Sequence, residues 1–112
     1  MAGTIELTQI TREMYEITKR MDHASKEIFN LAKRKAETER VYRMELAKQI
    51  ARLRAEGTPA TLIPDLARGE IADLKLERDM ALELHRSGLA SLEVIRSQAN
   101  VLQTISRYQE EV

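Results

Sequence analysis

Lys35, Thr38 and Tyr42 are the residues whose types and spacing come closest to chemistry. They follow one another at three- and four-residue steps, which places them on one face of a helix. His85, Gly88 and Ser91 lie at three-residue steps further along. Brought together by a fold-back, the two sets would form a polar layer. Lys35 or Arg34 would supply positive charge and Gly88 room, as a pocket for a small anionic, nucleotide-like ligand requires. The same residues could instead fix helix register and subunit number, as buried polar residues do in coiled coils, or simply face solvent.

A second group sits in the segment EGTPATLIPDLARGE, residues 56–70. Thr58, Thr61, Asp65 and Arg68 lie on a proline-braced turn, where exposed backbone donors can hold a phosphate or a peptide. The alternative is an ordinary capped turn. No glycine-lysine pattern of a nucleotide-hydrolysing loop is present. A third group is the basic run of Lys33, Arg34, Lys35, Arg40, Arg43, Lys48, Arg52 and Arg54, which could follow a nucleic-acid backbone. Acids interrupt it, and only Tyr42 is available to stack on a base. His23 and His85 have no partner at a strong metal-ligand spacing, and cysteine is absent, which removes thiolate catalysis and cysteine-based zinc sites. No Ser-His-Asp arrangement stands out. These features predict a protein that is not an enzyme and carries no cofactor.

The elements that must position these residues are helices. Of the 112 residues, 43% are hydrophobic and only 4% aromatic, and net charge is zero. Leu, Ile, Ala, Met, Glu and Arg dominate, a composition suited to helix. Leu7, Ile10, Met14, Ile17, Met21, Ala24, Ile28 and Leu31 form one unbroken three-four stripe, a coiled-coil seam. The next steps are Lys35, Thr38, Tyr42 and Glu45, so the seam turns polar with no Pro or Gly to end the helix. Helix 1 is expected from about residue 4, capped by Thr4, to 56, a length of about 75 Å. Gly57 suits its C-terminal cap. Thr58 and Pro59 read as a cap and first helical residue, with one or two short turns expected in an elbow over 57–69. Helix 2 is expected from about 70, or from Pro64, to 110. Its main stripe is Leu74, Ala81, Leu84, Ile95, Leu102, Ile105 and Val112. A second holds Leu82, Leu89, Leu92 and Ala99, with Leu76 and Met80 beside it.

The expected fold is therefore all-α, a long antiparallel, coiled-coil-like helical hairpin in a single domain, 1–112. A turn near residue 63 would set Ile50 near Leu76, Tyr42 near Leu84, Thr38 near Gly88, Leu31 near Ile95 and Ala24 near Leu102. Two stripes on helix 2 exceed what one partner helix can cover, which predicts a homo-oligomer, most simply an antiparallel dimer of hairpins forming a four-helix bundle. Residues 1–56 hold twelve basic and nine acidic side chains, and residues 57–112 hold six and nine. The halves of a hairpin would thus neutralise each other. No signal peptide or membrane span is visible, and a cytoplasmic protein is expected.

The stretch ERVYRMELAKQIARLRAEGTPATLIPDLARGEIADLKLERD, residues 39–79, resembles small all-helical proteins of unknown function from bacteriophages and prophages of Gram-positive bacteria. The LRAEG and ARG segments carry the likeness. It implies a phage origin, a place among early or replication-recombination genes, and a host-cell cytoplasmic setting, and it assigns no functional residue. Two expectations follow: a self-associating protein that binds a host or phage macromolecule, or an oligomeric sponge for a nucleotide-like signal, with Arg34, Lys35, Thr58, Thr61 and Arg68 as its contacts. A nucleic-acid-binding accessory role is the third.

Overall fold

In the computed structural model, which describes residues 7–111, the chain is all-α and folds as a long helical hairpin. Helix α1 spans Leu7–Ala55, α2 Ile63–Glu70 and α3 Ala72–Glu111. Thr4 and Val112 lie outside the described residues. The packing divides into two compact units. One comprises residues 30–86, the other residues 1–29 with 87–112.

In the unit of residues 30–86, α1 ends where Gly57 adopts φ +80°, a left-handed conformation that glycine takes without a Cβ penalty. The Gly57 N–H donates to the Arg54 carbonyl and the Thr58 N–H to the Leu53 carbonyl, so the cap expected at Gly57 is present. Pro59 does not start a helix, contrary to the sequence reading. The Leu62 N–H donates to the Pro59 carbonyl at 2.9 Å, closing a turn. Pro64 is the proline in the first helical turn, where its missing N–H costs nothing. The second interruption falls at Ile71 rather than Gly69. Ile71 has φ −116° and ψ 25°, and its N–H donates back to the Arg68 carbonyl, a tightened last turn. Its side chain is buried.

Ala67 is 0% exposed and packs with Leu53 and Ile63, with Leu46 and Ile50 against them. The small side chain lets the α2 backbone lie close to α1. Each large apolar side chain buried here contributes about 1.5–3 kcal/mol. The chain has thus already reversed by Ile63, and α2 belongs to the returning leg. This shifts the pairing by roughly two helical turns from the expected one. Ile50 packs on the α2 cluster while Leu76 is exposed. Tyr42 meets Arg78, and Leu84 is exposed. From Ile71 into α3 the inward positions of this unit are Ile71, Leu74, Arg78, Ala81 and His85, a strict three-four series that includes two polar residues. On α1 they are Thr38, Glu39, Tyr42, Leu46, Ile50 and Leu53. The stripe therefore does not end at Leu31. It steps by about one position, as a straight helix drifts against a seven-residue repeat.

In the other unit, the seam of α1 packs on the tail of α3, as expected. Ile10 and Ile17 are buried, and Met14, Met21, Ala24 and Ile28 are half-buried. Leu7 is exposed. The α3 series continues through Gly88, Leu92, Ile95, Ala99, Leu102, Ser106 and Gln109, all half-buried. One seam has thus drawn its members from both stripes read in the sequence, while Leu89 is left exposed and Ile105 is half-buried beside it. The displaced register recurs here. Ala24 shares a hollow with Ile95 instead of reaching Leu102, and Arg20 Nη2 donates to Gln98 Oε1 at 2.7 Å.

Candidate functional site

The sequence-predicted polar residues converge only in part. A hollow of about 620 Å³ in the unit of residues 30–86 is lined by Lys35, Glu39 and Arg43 from α1 and by Arg78, Asp79, Leu82 and His85 from α3, with Ala32 and Ala36 between. Lys35 and His85 are thus brought together. Gly88 and Ser91 belong to the other unit. Thr38 is not in the lining of the hollow, and its hydroxyl donates to the Lys35 carbonyl at 3.0 Å, an in-helix bond. Tyr42 is buried under the Arg78 guanidinium, 4.1 Å from the ring centroid, and does not open onto the hollow.

Glu39, Arg78 and Asp79 carry the electrostatics, and sequence reasoning gave the last two no role. Arg43 Nε donates to Glu39 Oε1 at 2.7 Å, and Arg78 Nε stands 3.6 Å from Glu39 Oε2. Arg78 also donates to Asp79, which accepts from Lys75 Nζ at 2.9 Å. Lys75 and Asp79 lie four residues apart on one helix face, a spacing that could have signalled the pair. The Lys75 hydrogen bond, with that from Arg78, holds the Asp79 carboxyl below its ordinary value. A carboxylate with a depressed folded-state value contributes stability above the ordinary aspartate range and loses it as pH falls through the depressed value. Thermal melts should therefore separate the wild type from Asp79→Asn at about pH 7 and bring them together as pH falls through the depressed value. A difference unaffected by pH would remove Asp79 ionisation from the account.

The hollow holds the cations of Lys35, Arg43 and Arg78 against the carboxylates of Glu39 and Asp79. Both carboxylates are already shared with arginines. Lys35 makes no ion pair among the described residues, and neither do Arg34, Lys33 or Arg54. The rest of the basic run is engaged. Arg40 pairs with Glu37, whose carboxyl it lowers, and Lys48 pairs with Glu45 and Arg52 with Glu56. Only Arg52–Glu70 and Arg78–Glu39 join α1 to the returning helices among the described residues. Neutralisation is thus mostly within each helix, contrary to the expected pairing of oppositely charged halves. At the elbow Thr58 is half-buried and Thr61 exposed, and Arg68 pairs with Asp65 on its own helix at 3.4 Å. Of the five residues expected to hold a nucleotide-like anion, only Lys35 lines the hollow.

Large apolar side chains left in solvent form the more extensive feature. In the unit of residues 30–86 these are Met44, Leu62, Leu66, Leu76, Met80 and Leu84. In the other unit they are Leu7, Tyr15, Phe29, Leu89, Val94, Val101 and Tyr108. The fold and these surfaces define an all-α helical hairpin with apolar faces uncovered by its own chain. No helix among the described residues is long and apolar enough to cross a membrane, and no group of potential metal ligands gathers among them. Comparison with protein-family models, curated proteins and solved structures gives no match.

Proposed function

We propose that this chain is a non-enzymatic, self-associating helical interaction protein, whose apolar faces assemble it into a bundle and whose charged outer faces and elbow bind another macromolecule. One observation carries the reading. Among the described residues thirteen large apolar side chains are exposed, whereas eight apolar residues are buried. Burying the half of each that remains exposed, for five side chains from each of two copies, would contribute ~7 kcal/mol or more, within the range that association costs in lost freedom. In a bacterial cytoplasm, and in a phage setting, the partner would be a host factor or a component of replication or recombination. The test is the thermal midpoint as a function of protein concentration. An assembly that covers these faces melts higher as concentration rises. A midpoint independent of concentration over a hundred-fold range contradicts the reading.

A further inference from the structure

Resting on the self-association proposed above, we infer that one groove of the unit built from residues 1–29 and 87–112 is an isologous dimer surface, and that its occupant is the same groove of a second copy. The groove, of about 610 Å³, has Ile17 and Leu102 in its floor, Val94 and Val101 on one wall, and Glu13 and Arg20 on the other.

Three features make this surface complementary to itself. Val94, Val101 and Tyr108 are spaced by sevens on α3 and are 58%, 58% and 67% exposed, an apolar stripe with Val101 at its centre. Glu13 and Arg20 are also seven apart, with opposite charges, on either side of Ile17. Neither makes an ion pair among the described residues. Finally, the Arg20–Gln98 hydrogen bond sets the level of the two antiparallel helices, so that three residues along each from that bond lie Ile17 and Val101. A twofold axis at that level crosses both stripes at their midpoints. It sets Val101 against the partner subunit's Val101 and Val94 against the partner subunit's Tyr108. It also sets Glu13 against the partner subunit's Arg20, twice by symmetry, as a closed two-fold interface requires. The groove on the opposite side of the same helices is equally apolar, with Met14, Ile17, Met21 and Ala99 in its lining, but its one charged residue is Arg96, so it lacks the opposite charges that make the first groove complementary to itself.

The test is charge reversal read by sedimentation. Glu13→Arg and Arg20→Glu should each raise the dimer dissociation constant about ten-fold or more, by facing like charges twice. The double variant should return it to within about three-fold of the wild type. Circular dichroism checks that each variant stays helical. Because the chain has no cysteine, Val101→Cys supplies the only thiol and should give a disulfide-linked dimer on mild oxidation, the two copies meeting within bridging distance. If the wild type is an oligomer but the reversals leave its mass unchanged and Val101→Cys does not cross-link, this surface is wrong and self-association uses another. If the wild type is a monomer, both readings fall.

Discussion

Replacing Ala67 by Asp should unfold the elbow. Ala67 is fully enclosed by Leu53 and Ile63, with Leu46 and Ile50 behind them. A carboxylate there has no cationic or hydrogen-bonding partner in the cluster and cannot reach water without prising α2 from α1. Such burial costs several kcal/mol, and the loss should exceed ~3 kcal/mol. For a chain of this size that lowers the thermal midpoint by more than about 10 °C. The damage should be local first, with trypsin cutting between Arg52 and Arg68 sooner than in the wild type. Ala67→Gly, which adds no charge, should cost only about 1 kcal/mol through helix propensity. A midpoint for the Asp variant within a few degrees of the wild type would mean that α2 does not pack on Leu53.

The second large effect is expected at Tyr42. Its ring is buried and stacks beneath Arg78, which also faces Glu39. Tyr42→Ala removes the ring, leaves a cavity and strips Arg78 of its cation–π contact, a combined loss of about 3–4 kcal/mol. Tyr42→Phe keeps the ring and its face, and should fall within about 0.5 kcal/mol of the wild type, because the hydroxyl makes no hydrogen bond among the described residues. Urea titration of both variants separates the cases. If Phe is as damaging as Ala, the hydroxyl rather than the ring carries the role.

The contrast between Tyr42 and Leu84 shows what was legible in the sequence. Residue type placed Leu84 in the main stripe of helix 2, with Leu76 and Met80 beside the second, and the hairpin leaves all three exposed. Arg78, Ser106 and Gln109 were passed over, yet they fall on the inward series of the returning leg, as does His85, which was placed in the polar layer. A helix buries whatever its backbone register turns inward. Arg78 can occupy such a position because its stem and flat guanidinium pack on an aromatic ring. The α1 seam from Ile10 to Ile28 was readable because type and register agree there. Gly57 was readable because few other residues tolerate its backbone. The register of the returning leg was not. Pro64 and the residue after Gly69 both suit the start of the returning helix, and a reversal centred near residue 60 instead of 63 moves every facing pair by about two turns. The same ambiguity limited the candidate site. Lys35 and His85 were correctly brought to one place, but their neighbours are Glu39, Arg43, Arg78 and Asp79. Thr58, Thr61 and Arg68 remain at the elbow, with Arg68 held by Asp65.

Self-association is the central claim, and the mass of the wild-type protein in solution tests it most directly. Light scattering behind size-exclusion chromatography, at tens of micromolar, should give at least twice the 12.8 kDa of one chain, with the higher mass kept on moderate dilution. A mass of 12.8 kDa at that concentration would contradict it, and would leave the exposed stripes of α3 without the partner proposed for them.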